Sequence, residues 1–313
     1  MSDVPNNNPC GQSGGRAILW MIPRSISTAF TKCMSGIPGC EVWMEPFGFC
    51  HFALQELEKL GITEQPMSYD GHEKEFKLAA EALEKYMEDI IFFPDRLPFA
   101  TIKKKLEESA SKYVFVKDES IAIPNDQRRQ FIPKGYQHAF IIRHPLLVYK
   151  SMRKATFAQY QEVGMLKFNE TDESSFDFRP YAKEDGVDAV FQQHHDLWTY
   201  IRDHVNPSPL VIDSSALLTN PAPVLRQFCD AVGFPYSESL LQWSGSPEVA
   251  KSWKWAGDNI YKNGNFLGAA MYSTHFTPPA VVPAWEEVPD DVRELAEKAM
   301  PYYEDMLKHS LDQ

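Results

Sequence analysis

The stretch Arg16-Ala-Ile-Leu-Trp-Met-Ile-Pro-Arg-Ser-Ile-Ser-Thr-Ala-Phe30 decides the fold. Its first seven residues form a short apolar run ended by Pro23. A run of that length reads as a strand buried in a parallel sheet rather than as a helix. Ser27 to Met34 then contains no helix breaker and opens on Ser and Thr, which suits a helix N-terminus. A strand-turn-helix of this kind points successive backbone N–H groups at an anion. The hydroxyls of Ser25, Ser27 and Thr28 add donors, and Arg24 adds a charge-assisted contact. Taken alone, the same residues also fit an ordinary βα turn with a Ser/Thr cap. The loop is not a Walker A loop, because GxxxxGK[ST] is absent from the chain.

Working outward, the same alternation recurs. Strands are expected at Cys40 to Met44, Tyr113 to Val116, His138 to Ile142 and Pro209 to Ile212. Helices are expected at Lys74 to Phe92, Val148 to Ala158, Ala189 to His204, Pro223 to Val232 and within Pro289 to Leu311. The first of these shows Leu78, Ala79, Leu83, Tyr86 and Ile90 on one stripe. Strands alternating with helices predict an α/β fold, a three-layer α/β/α sandwich around a mostly parallel sheet. A polar lead, residues 1–15, precedes one domain, residues 16–313. The irregular segments 169–186 and 251–283 are expected to be lids.

Polar clusters follow the strands at once: Pro23 to Thr28, Glu45-Pro46, Lys117-Asp118-Glu119 and Arg143-His144. In doubly wound sheets ligands sit beyond the carboxyl ends of the strands, so these clusters converge on one crevice.

Composition narrows the function. The 313 residues are 43% hydrophobic and 24% charged, an ordinary globular balance, with a net charge of −12. That charge argues against nucleic-acid or anionic-membrane partners, though not against a small anion held by a few focused donors. No run of about 18 apolar residues is present, and the N-terminus lacks the features of a signal peptide. A cytoplasmic location is therefore expected. The five cysteines contain no CxxC pair and complete no metal-ligand spacing, so free thiols and no metal site are expected.

The second informative segment is Arg143-His-Pro-Leu-Leu-Val-Tyr-Lys-Ser151. Arg143 leaves a strand end, Pro145 suits the first turn of a helix, and Ser151 lies on that helix. An Arg and a Ser so placed suit gripping one phosphate from two directions, though the segment alone fits better a helix-capping turn with a surface Arg. The pair of segments resembles the sulfotransferase superfamily, which carries a P-[KR]-S-[GS]-[ST]-T-type loop and then an R-x-P-x-x-x-x-x-S-type segment. Val211-Ile-Asp-Ser-Ser-Ala-Leu-Leu-Thr-Asn-Pro221, with Val232-Gly-Phe234, resembles a third family segment. Trp43-Met-Glu-Pro-Phe47 resembles an "EPF" element of an atypical branch sometimes labelled aminotransferase-like, yet nothing here resembles a pyridoxal-phosphate lysine site.

The resemblance implies a P-loop NTPase-like sulfotransferase fold and 3′-phosphoadenosine 5′-phosphosulfate (PAPS) as donor, with PAP as product. It implies a 5′-phosphate loop of Arg24, Ser25, Ile26, Ser27, Thr28 and Ala29, and a 3′-phosphate pair of Arg143 and Ser151. Ile26 departs from the Gly common in the family, which predicts altered loop geometry because a Cβ disfavours positive φ. The family's C-terminal adenosine segment is missing. Trp253 and Lys254, or Lys262-Asn-Gly264, stand in its place.

For the general base, carbohydrate-type family members imply Glu45, which stands 21 residues after Arg24. The cytosolic members imply the position of Glu119, with Asp118 beside it and Lys117 as a cation for the sulfuryl oxygens. His51, His194 and His195 are the histidine alternatives, with His194 and His195 expected on a partly exposed helix face. The expected activity is in-line, metal-independent sulfuryl transfer from PAPS to a hydroxyl of a small molecule. A non-catalytic PAP-binding protein of the same fold is the alternative, and a nucleotide-dependent kinase a weaker one. The acceptor and the oligomeric state are left open by the sequence.

Overall fold

A computed structural model describes residues 14–85, 89–162, 164–167, 169–262, 267 and 270–311. The expected lead (residues 1–13 of it), Cys10, Tyr86, Asn263 and Gly264 lie outside the described residues.

Five strands make one parallel sheet: β1 (Arg16–Met21), β2 (Cys40–Met44), β4 (Tyr113–Glu119), β5 (Gln137–Ile142) and β6 (Leu210–Asp213), in the order β2-β4-β1-β5-β6. β1 is central, and Ala17 to Trp20 are fully buried, as a strand covered on both faces must be. The crossovers are helical. They include α1 (Ser27–Met34), α2 (Pro46–Lys59), α3 (Glu73–Glu84), α4 (Phe99–Glu107) and the short α5 (Asp126–Arg129). After β5 come α6 (Pro145–Glu162), α7 (Phe178–Glu184), α8 (Val190–His204), α9 (Ser214–Thr219), α10 (Pro221–Val232) and α11 (Asp290–Leu307). The three-layer α/β fold is the one expected.

The register aligns the strand ends. Met21 pairs with Glu119 on one side and Ile141 on the other, Met44 with Lys117, and Ile142 with Asp213. The residues that follow β1, β2, β4, β5 and β6 therefore emerge along one edge of the sheet.

Several boundaries differ from expectation. The helix expected from Lys74 to Phe92 is α3, and Ile91–Phe92 is instead a short strand, β3, antiparallel to β7 (Gly257–Asp258). The buried stripe of α3 is Phe76, Ala79, Ala80 and Leu83, spaced three or four apart, whereas Leu78 falls off that face and is 44% exposed. At Gly257 an added Cβ would lie 2.2 Å from the Ile91 carbonyl oxygen, so the β3–β7 ribbon requires a glycine there.

The segments expected to be lids make specific contacts with the rest of the fold. Buried Arg153 on α6 bonds Asp291 at 2.9 Å and the carbonyls of Glu173 and Phe176, which pins the 169–178 segment between α6 and α11. Lys254 donates its N–H to Val42 O at 2.7 Å and accepts from Met44 N at 3.0 Å, adding a backbone rung to the outer edge of β2.

Candidate functional site

The first loop of the site combines strain with unsatisfied donors. Arg24 and Ile26 both have positive φ, 66° and 73°, although neither is glycine. The loop reaches positive φ without a glycine, at a backbone cost of about 1–2 kcal/mol per residue. Ile26 occupies the N-cap position of α1 and no side chain caps the helix, so the Ser/Thr capped turn is not what forms. The first N–H groups of α1 have no intrahelical partner and open onto the loop. Ser25 Oγ is buried and has no hydrogen-bond partner, which is costly unless a ligand supplies one.

The second segment meets the first. Arg24 Nε donates to Ser151 Oγ at 2.9 Å, and Arg143 Nη1 donates to the Arg24 carbonyl at 2.8 Å. Burial lowers the pKa of both guanidiniums, and the Arg24 charge lowers that of Arg143 further. Two half-buried cations held this close repel each other, so a bound oxyanion would be strongly favoured. Sequence reasoning missed one member: Ser214 donates to Ser25 O at 2.9 Å and to Ile142 O at 2.6 Å, clamping the loop to the end of β5. Its signal was the Asp213-Ser214 turn after β6. Ser27 is buried and Thr28 half-buried at the start of α1.

The carboxylates gather at the ends of β2 and β4. Glu45 has φ 52° and precedes α2, but its side chain caps nothing. Its carboxylate instead pairs with buried Lys117, whose side chain is 3% exposed. Asp118 provides the cap: it accepts from Phe47 N at 2.7 Å, Gly48 N at 2.9 Å and Glu119 N at 2.8 Å. Burial raises the Asp118 pKa, partly opposed by these three N–H groups. The Glu119 carboxyl has no hydrogen-bond or ion-pair partner among the described residues. Burial pushes its pKa up past neutrality, the Glu45 charge adds to this, and Lys117 works against it. A Cβ placed on Gly48 would lie 3.5 Å from Asp118 Oδ1, 3.5 Å from Glu45 Cβ and 3.9 Å from Glu119 Cγ, so all three acids surround one point.

The other sequence-derived residues make contacts of their own. Trp253 is buried, stacks on Trp255 and donates to Ser35 Oγ at 2.7 Å, at the end of α1 opposite the loop. Trp253 and Lys254 thus brace the sheet edge. Contrary to expectation His194 is 1% exposed, with Nδ1 2.6 Å from Ser120 Oγ. His195 is the half-buried member of the pair, 3.0 Å from Asp305 on α11. No group of three metal-ligating side chains occurs among the described residues. No described helix is long and apolar enough to cross a membrane.

Comparison with known proteins bears on this geometry. Residues 197–310, from α8 through α11, match the family model of a sulfotransferase domain. Over that part of its length the chain is similar to sulfotransferase domains. A curated relative, branched-chain-amino-acid aminotransferase-like protein 2 of Arabidopsis thaliana, is 22% identical over 262 residues, 82% of this chain. The chain spans 37% of that relative's length. Among solved structures, the sulfotransferase domain of the Synechococcus PCC 7002 olefin synthase is 18% identical, with a TM-score of 0.43 over 90% of this chain and 93% of that one. The sulfotransferase domain from the curacin biosynthetic pathway is 15% identical, with a TM-score of 0.41 over 91% and 98%.

Proposed function

We propose that this chain is a sulfotransferase that moves a sulfuryl group in-line from PAPS to the hydroxyl of a small-molecule acceptor. The observation that carries the reading is the Arg24–Ser151–Arg143 array beside the buried, unpartnered Ser25 hydroxyl. Its donors fit a nucleotide with two phosphate groups. The N–H groups opening α1, the hydroxyls of Ser25, Ser27 and Thr28, and Arg24 would hold the 5′-phosphosulfate. Arg143 and Ser151 would hold the 3′-phosphate.

In the transfer, the bond between sulfur and the bridging phosphate oxygen breaks as a bond from the acceptor oxygen to sulfur forms. PAP leaves, and the acceptor proton passes to a base. Glu119 suits that role best: it is unpaired, it neighbours the end of β1, and its raised pKa makes it a strong proton acceptor once it is deprotonated. Glu45 is occupied by Lys117 and Asp118 by the α2 cap, so these two hold the site's shape. Arg24 and Lys117 offset charge on the transferring group.

The test is a thermal-shift screen with PAP, PAPS, ATP and S-adenosylmethionine, followed by PAP release on a panel of alcohols and phenols with and without EDTA. Stabilisation by PAP and PAPS but not ATP, with EDTA-insensitive turnover, is the expected result. No shift with PAP sinks the donor assignment. PAP binding with no turnover on any acceptor favours a non-catalytic PAP-binding protein.

A further inference from the structure

Two carbonyl groups of the phosphate loop are held from outside it, by side chains of different elements. Arg143 Nη1 donates to Arg24 O at 2.8 Å. Ser214 Oγ lies 2.9 Å from Ser25 O and 2.6 Å from Ile142 O. Ser214 is 1% exposed and opens α9 directly after β6, whose last residue, Asp213, pairs with Ile142 at the end of β5. A hydroxyl carries one proton, so Ser25 O and Ile142 O share it.

A planar trans peptide sets its N–H opposite its C=O. Tying Arg24 O to Arg143 and Ser25 O to Ser214 therefore turns the Ser25 and Ile26 N–H groups to the other side of the loop. Arg24 and Ile26 have positive φ and Ser25 between them does not, an alternation that lines successive N–H groups into an anion-binding concavity. Among the described residues no acceptor meets the N–H groups of Ser25, Ile26, Ser27, Thr28 or Ala29. The buried Ser25 hydroxyl is unpartnered beside them.

We infer that Ser214 is a positioning residue for the donor: it holds the Ser25–Ile26 peptide so that its N–H faces the 5′-phosphate group. The inference rests on the reading of this loop as the 5′-phosphate cradle and adds to it a residue from the end of β6. Without the hydroxyl, Ser25 O and Ile142 O lose the proton they share, and two buried carbonyl dipoles of like sign meet. Rotating the Ser25–Ile26 peptide relieves that contact and withdraws the Ile26 N–H from the anion. The N–H groups of Ser27 to Ala29 belong to α1 and keep their direction, as do Arg143 and Ser151 at the 3′-phosphate. The loss is therefore selective by phosphate position.

Calorimetry with adenosine 5′-monophosphate, adenosine 3′-monophosphate and PAP, on the wild type and on Ser214→Ala, tests this. Ser214→Ala should bind the 5′-monophosphate and PAP about tenfold more weakly, the size of one lost hydrogen bond to a charged group, with the 3′-monophosphate within about twofold of wild type. An equal loss for both monophosphates marks a general loosening of the fold and refutes the positioning role. Unchanged affinity for the 5′-monophosphate refutes it too. If Ser214→Ala does not fold, Ser214→Cys keeps the side chain's place with a weaker donor. It should show the same selective loss at smaller size, and an unchanged ratio of the two monophosphate affinities refutes the role equally. Wild-type protein that binds none of the three ligands overturns the donor assignment itself. Wild-type binding with no selective loss in the variant overturns the role of Ser214 alone.

Discussion

Three residues with positive φ, Arg24, Ile26 and Glu45, stand at the mouths of β1 and β2, and none is glycine. Strain of this kind persists only where the surroundings enforce it. Here Ser214 fastens the loop from one side and Arg143 from the other. Ile26→Gly should therefore keep PAP affinity within a few-fold, because glycine adopts the same φ without cost. Ile26→Pro, locked near φ −65° and lacking the N–H, should abolish PAP binding. Equal PAP affinity in both variants would show that the loop's φ does not matter to the ligand. Arg143→Ala removes hydrogen bonds to a charged group worth about 1.5–3 kcal/mol, so PAP should bind about 10–150-fold more weakly. Unchanged affinity, measured by calorimetry, would falsify the 3′-phosphate role. Glu119→Gln should cost about 100–10,000-fold in kcat, with PAP affinity near normal. Glu45→Gln strands buried Lys117 and should appear mainly as lost stability, about 3 kcal/mol. The opposite pattern, read from kinetics and unfolding together, would move the base to Glu45.

At the scale of elements, the strands were legible because each is a short apolar run that stops where the polar edge begins. β1, β2, β5 and β6 fall within a residue or two of expectation, and the strand-end clusters lie along one edge of the sheet. Helix faces were less legible. His194 reads as half-exposed until α11 and the Ser120–Ala122 turn pack against α8, contacts far apart in sequence that no local periodicity reveals. The Trp253 to Trp255 segment, which looks like an irregular aromatic lid, forms its rung on β2 through backbone atoms that carry no sequence signature. That rung predicts its own variants. Lys254→Ala should leave PAP affinity within about twofold, since the side chain is exposed and the backbone bonds remain. Lys254→Pro removes the donor to Val42 O and should cost about 1–3 kcal/mol in urea unfolding. A tenfold loss of PAP affinity in Lys254→Ala would return the residue to the cofactor site.

For the whole molecule, the net charge of −12 matters less than where a few charges are buried. Arg24 and Arg143 follow β1 and β5, the carboxyls follow β2 and β4, and the sheet register sets the two groups side by side along one edge. That arrangement sets stability and activity against each other as pH changes. Burial raises the Glu119 pKa in the folded chain above the value near 4.3 of an unfolded glutamate. Between those two values the folded state binds the extra proton, so stability falls as pH climbs through that window. Above the folded pKa the penalty is complete. A base, however, works only when deprotonated, so kcat should rise over the upper part of the same window. Glu119→Gln should flatten the rate dependence and shallow the stability slope, the remainder of which belongs to buried Asp118, whose pKa is raised to about 7. Thermal unfolding and PAP-release rates measured from pH 5 to 9 test this directly. Parallel pH trends in stability and rate, or a rate slope that survives Glu119→Gln, would assign the catalytic titration to another group.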